Sequence, residues 1–482
     1  MKRKCSIGVL SGILLSVAAQ AADRAWDGGG SDANWKTVAN WDGNATAPSA
    51  GDVLVFGGST RTSNTNDYTA GTAFAGITFT NGASAFVLSG NGLTLDGSIS
   101  NLSTSAQTIN LPMALSGTRT IYGSNAAFTV NGILSGPGGL TANVTNSTLT
   151  LTAANTYGGN TIVTNGQLSI THKDALGSTT AGTRIFGGSD ASLKLSGTIE
   201  ITEPITVSGT RPNYQSSIIG DTGSNTISGL ISKDGAFRFR VESSAKTLVI
   251  AGGVQLISGG TLGFNPQSGS TLIFKDKPVL LGTGANIQSE YGGTVVLAVP
   301  GNTYSGLNIV DHNIVRTDVA NALCPTAPLT VGGSWAVDGL LNMNGFDQTT
   351  SSLRTDGLKT GPGHLAVTSS VPATLTVNQS DVSTFAGALE GAVRLVKNGG
   401  GTLTFSNVVS TTTGDITVNE GTLAVAETGG FGATTKIWVN GGTLELRNGT
   451  ALPDTATVRL LEGAKFKIKT GVTETIDKLF LD

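Results

Sequence analysis

The feature that most constrains this chain is a strand-sized motif that returns about every twenty residues. Four segments read Gly401-Thr402-Leu403-Thr404-Phe405, Gly421-Thr422-Leu423-Ala424-Val425, Gly442-Thr443-Leu444-Glu445-Leu446 and Gly463-Ala464-Lys465-Phe466-Lys467-Ile468. Their leading glycines lie 20, 21 and 21 residues apart. Each segment carries an apolar pair two positions apart: Leu403/Phe405, Leu423/Val425, Leu444/Leu446 and Phe466/Ile468. Side chains along a strand alternate between faces, so each pair points one way while Thr404, Ala424, Glu445 and Lys467 point the other. A half-buried strand at a fixed period implies a solenoid. One coil cannot bury its inner residues alone, but stacked coils form a continuous apolar column.

The same arrangement occurs earlier, at Leu149/Leu151, Leu168/Ile170 and Leu193/Leu195. Between these pairs sit Asn155-Thr156-Tyr157-Gly158-Gly159 and Thr164-Asn165-Gly166, whose Gly and Asn tolerate the left-handed backbone of sharp corners. No long stretch has apolar spacing of 3.6, so helices are expected to be few and short. Only 13% of residues are charged, and 68 glycines with abundant Thr, Ser and Asn take their place. A two-sheet sandwich is the alternative, but its strands come every 8–12 residues without long-range recurrence of one motif. The expected fold is all-β: a right-handed, single-stranded parallel β-helix with an N-terminal cap. At about 20–25 residues per coil, 18–22 coils would make a rod on the order of 90–100 Å.

These residues resemble the autotransporter-associated β-strand repeat of bacterial passenger-like surface proteins. The densest match is Ser383-Thr384-Phe385-Ala386-Gly387, then Leu395 through Phe405, then Ile416-Thr417-Val418-Asn419-Glu420-Gly421-Thr422-Leu423. Leu149 through Tyr157, continuing to Asn165-Gly166-Gln167-Leu168, looks like the same unit, and Asn302-Thr303-Tyr304-Ser305-Gly306 like a degenerate copy. Leu341 through Thr349 resembles another element of such chains, and Trp26 through Trp35 with Asn40-Trp41 is similar to the start of many. The resemblance implies a β-helix carried to or beyond the outer membrane, with a repeat whose role is structural and no catalytic residues. The chain departs from the pattern at Ser410-Thr411-Thr412-Thr413-Gly414, where the Asn-Thr-Tyr-type turn is missing. It still reads as solenoid at Leu479-Phe480-Leu481, without the ten-residue strands and aromatic girdles of a translocating barrel, so self-translocation is not expected.

The N-terminus carries the three parts of a secretory signal: basic Lys2-Arg3-Lys4, an apolar run from Ile7 to Ala18, and Ala19-Gln20-Ala21 as a small-x-small cleavage site. The apolar run is shorter than the roughly 20 residues that cross a bilayer, and no later segment approaches that length. The expected division is therefore signal peptide 1–21, capping segment 22–60 and β-helix 61–482, located at the cell envelope, outer surface or outside the cell. Cys5 leaves with the signal, so Cys324 has no internal disulfide partner and is expected to be a buried thiol. A net charge of −3 offers no footprint for nucleic acid.

Chemistry finds little support in the sequence. Glycoside hydrolysis needs two positioned carboxylates. Glu200 and Glu203 are an odd number of residues apart, so on one strand they face opposite ways, and both are expected to be solvated. His172, His312 and His364 fall in expected turns or strand ends, without H-E-x-x-H spacing or a G-x-S-x-G elbow, and no phosphate loop occurs. Gly28-Gly29-Gly30-Ser31-Asp32 approaches a calcium β-roll motif without recurring, which leaves Asp27, Asp32 and Asp42 as weak cation candidates. Phe237-Arg238-Phe239-Arg240 is expected to be a half-exposed strand. Lys465, Lys467 and Lys469 would discourage strand addition at the last coil. No cofactor is expected. The candidate glycan-binding residues are Trp26, Trp35 and Trp41, set among Asp27, Asn34, Asn40 and Asp42; the same residues suit a cap over the first coil. The expected function is structural or adhesive and non-enzymatic, with extracellular glycans or other surface proteins as partners. A carbohydrate-active enzyme or glycan-binding module is the alternative.

Overall fold

The computed structural model describes residues 21–186, 190–208, 217–242, 246–256, 260–333, 338–357 and 363–482. The signal expected over 1–21 lies outside them except for Ala21. Among the described residues there are forty-nine strands and one 3-10 helix, Val38–Asn40. None contains a helix long and apolar enough to cross a membrane.

The recurrent glycine-led segments become neighbouring rungs. Strands Val382–Phe385, Thr402–Phe405, Thr422–Val425, Thr443–Leu446 and Lys465–Ile468 form one parallel five-stranded sheet. Its register stacks Leu403 on Leu423, Leu444 and Phe466, and Phe405 on Val425, Leu446 and Ile468. The first three residues of each column are buried, as the period-2 pattern requires. The earlier stretch behaves alike, with Phe128, Leu149, Leu168, Leu193 and Ile218 in one buried column. Sheets of 24 and 14 strands, with smaller ones of four and two, make up the rest, and together the strands wind a parallel solenoid of about 18 turns. At about 4.8 Å per rung this is a rod on the order of 85 Å.

Two outward positions differ from expectation, because Thr404 and Ala424 are buried as well. Ala424 lies in register between Thr404 and Glu445, so its methyl group is shaded by longer side chains on both neighbouring rungs. Arg238 is also buried, whereas Arg240 is exposed. The Arg238 stem lies where a side chain on Gly263 would stand, a Cβ there falling 2.4 Å from Arg238 Cγ, and its guanidinium is ion-paired with the buried Glu290.

Polar side chains do the joining between turns. Outside, Asn398 donates to Asn378 (3.1 Å), Asn419 to Asn398 (2.8 Å) and Asn440 to Asn419 (2.8 Å), a ladder one amide per rung. Inside, Asn155 Oδ1 accepts from the Leu134 N–H of the preceding turn (2.8 Å), while Nδ2 donates to Ala175 O of the following turn (2.6 Å). Asn302 repeats this bracket between Val279 N–H (2.8 Å) and Ala322 O (2.9 Å). The tyrosines of both Asn-Thr-Tyr turns are buried, Tyr304 accepting the Cys324 N–H at 2.9 Å. Where the motif is missing, Ser410 Oγ accepts from Leu389 N–H (3.1 Å) and Thr412 Oγ1 donates to Val393 O (2.5 Å). Hydroxyls thus brace that corner in place of an amide, and buried backbone groups stay paired.

Candidate functional site

The tryptophans come together, but inside. Strand Asp23–Trp26 pairs in parallel with Val53–Phe56, and the intervening loop folds over the end of the coil. Trp35 and Trp41 are fully buried and Trp26 is 3% exposed. Trp26 and Trp41 meet edge to face at 5.1 Å, and all three rings pack on Phe56 at 5.7–6.0 Å. Each indole N–H finds an internal acceptor: Trp26 on Thr60 O (3.2 Å), Trp35 on Asn64 Oδ1 (2.8 Å) and Trp41 on Trp35 O (2.7 Å). In this arrangement the rings close the first coil's apolar end, and their faces meet other rings instead of solvent.

The acids around them are spent on the loop. Asp27 accepts Gly29 N–H (2.9 Å) and Gly43 N–H (2.7 Å), and Asp42 accepts Ala25 N–H (2.8 Å) and faces Arg24 at 3.2 Å. Asp32 accepts Asn34 N–H (3.1 Å) and the Thr37 hydroxyl (3.0 Å); the backbone donor first, then Thr37, hold its carboxyl below the usual range. Their oxygens therefore do not converge on a cation. Among the described residues no group of three or more His, Cys, Asp and Glu is placed to hold a metal ion.

Glu200 and Glu203 do face opposite ways. Glu200 is exposed and accepts the Ser228 hydroxyl, but Glu203 is buried, not solvated. Its carboxyl takes the Thr183 hydroxyl at 2.5 Å, and burial pushes its pKa up to about 7 against that hydrogen bond. One buried and one exposed carboxyl on opposite faces are not a hydrolytic pair. His312 and His364 are exposed and His172 is half-buried; His312 faces Asp338, which also accepts the His364 N–H, His364 Nε2 meets Glu390 at 2.8 Å, and His172 Nδ1 accepts Asp174 N–H at 3.1 Å. Cys324 is a free, buried thiol.

The structure also shows a recess that the sequence reading did not single out. Gln288, Asn308, Thr330 and Arg354 stack in register on four successive rungs. Beside them strand Pro328–Gly333 slips register between Thr330 and Gly333, setting Gly333 against Asp356. The result is an open recess of about 120 Å³ lined by Gln288, Asn308, Val310, Thr330, Gly332, Gly333 and Asp356. The one sequence signal for it is the Gly332-Gly333 doublet, since glycine inside a strand pattern marks a bulge.

Two segments, 146–170 and 395–425, match the passenger-associated-transport-repeat family, and both coincide with coils described above. The chain is also similar to the adhesin BmaC autotransporter of Brucella suis biovar 1 (strain 1330), 31% identical over 284 residues. That stretch is 55% of this chain and 7% of the Brucella protein, so the chain matches only a small part of its relative's length. No solved structure matches. By its repeats and by the stretch it shares with the Brucella protein, this chain is a β-repeat protein similar to autotransporter passengers.

Proposed function

We propose that this chain is an exported, non-enzymatic β-helix that acts as an adhesin-like rod at or beyond the cell surface. The observation that carries the reading is the likeness to the Brucella adhesin, spread over 55% of a chain that is solenoid throughout its described residues. Fold alone does not assign function. The residues of the repeat support it further, because Asn155, Asn302 and the outer asparagine ladder are occupied in holding turn to turn. A rod of this kind presents surface at a distance from its base.

Beads coated with the protein from Ala22 to Asp482 test this reading. They should be retained on epithelial monolayers or matrix-coated glass well above albumin-coated beads, without release of reducing or unsaturated sugars from a polysaccharide panel. Retention equal to albumin, or steady sugar release, would overturn it and move the carbohydrate-active alternative to first place.

A further inference from the structure

Three features of the recess on rungs 288–356 set it apart from the rest of the outer surface. First, most of its polar groups are unused. Among the described residues the side chains of Asn308, Thr330 and the exposed Asp356 make no hydrogen bond within the protein. Arg354 Nε, on the next rung of the same column, is buried without a partner. Elsewhere outward amides are spent on ladders, as at Asn398 and Asn419. A buried polar group without a partner costs about 1–3 kcal/mol and calls for an explanation. Second, the register slip brings Gly333 to one wall, where a Cβ would meet only Val310 and the Asp356 backbone at 3.6–3.7 Å, leaving a shelf beside the polar column. Bulges of this kind are frequent next to binding sites. Third, the adjoining buried pair Arg238–Glu290, with Gln288 Nε2 donating to Glu290 at 2.9 Å, holds the end of the column rigid.

We infer that this recess is a binding site for a neutral saccharide chain lying along the rod axis. Amide, hydroxyl and carboxylate groups are the side chains that hydrogen-bond sugar hydroxyls in both senses. Successive rungs repeat at about 4.8 Å, comparable to the length of one pyranose unit, so a chain along the axis meets a polar side chain per sugar. Asp356 is the charged residue that lines the recess, with Arg354 two residues before it on the same strand, and Arg238 is already paired with Glu290, so the recess has no excess of positive charge with which to select an acidic glycan. The bare backbone at Gly333 gives a ring room to lie flat.

The inference deepens the adhesive reading by naming a ligand class, and it is tested separately from bead retention. The protein from Ala22 to Asp482 is assayed against immobilised neutral gluco-, manno-, galacto- and xylo-oligosaccharides, and against uronate- and sialic-acid-containing ones. The wild type should hold at least one neutral series. Asn308→Ala and Asp356→Ala should each weaken that binding about tenfold or more with an unchanged thermal midpoint. Gly333→Leu should abolish it, because a Cβ there meets only ordinary contacts at 3.6–3.7 Å while the longer side chain fills the shelf. If Gly333→Leu lowers the thermal midpoint, the two alanine variants decide. No binding of any neutral oligosaccharide, binding of acidic ones alone, or binding undiminished by Asn308→Ala and Asp356→Ala would overturn the assignment. Bead retention that survives those variants would leave the adhesive rod standing without this site.

Discussion

At the scale of single residues, the buried polar groups distinguish this solenoid from a plain apolar column. Trp35 closes the first coil with a fully buried ring and a 2.8 Å hydrogen bond to Asn64. Trp35→Ala should therefore cost about 3–5 kcal/mol, read as a lower denaturation midpoint. A midpoint unchanged within error would remove the ring from the cap. Glu203 makes a pH-dependent contribution whose sign follows from its raised pKa. The folded carboxyl keeps its proton to about pH 7, whereas the unfolded one loses it near 4.5. Its contribution is complete below about pH 4.5 and is lost as pH rises through about 7, on the order of 3 kcal/mol across that window. Glu203→Gln keeps a neutral hydrogen-bonding group, so the variant should lose less stability than wild type between pH 5 and 8. Parallel pH profiles for the two would contradict a buried, protonated Glu203. Neither burial was legible along the chain: Glu203 finds Thr183 on the neighbouring turn, 20 residues away, and Arg238 finds Glu290 two turns on.

At the scale of the strand, much was legible, because burial and register follow from the same alternation. The apolar pairs at Leu403/Phe405, Leu423/Val425 and Leu444/Leu446 stand in the columns their spacing demands. Outward positions were harder to read. Ala424 is covered by its neighbours' side chains, and the slip at Gly332-Gly333 depends on the adjoining rung. Register can be tested by chemistry. Lys436 and Thr457 are partners on adjacent outward-facing rungs, so Lys436→Cys with Thr457→Cys places two thiols at a separation a disulfide spans. Oxidation should close that bond, while Lys436→Cys with Arg459→Cys, two positions out of register, should stay open. Closure of the second pair in preference to the first would mean a shifted register.

At the scale of the whole molecule, the account rests on one continuous stack whose turns touch only their neighbours. Such a chain needs its first apolar coil covered, which the tryptophan cap does, and it gains length with each turn instead of bulk. About 18 turns at about 4.8 Å predict a rod on the order of 85 Å. Small-angle X-ray scattering from the chain beginning at Ala22 measures this most directly. The account predicts a distance distribution with an early peak from the coil's cross-section and a long tail reaching about 90 Å. A symmetric distribution with a radius of gyration of about 23 Å, the value for a compact globule of this length, would contradict it.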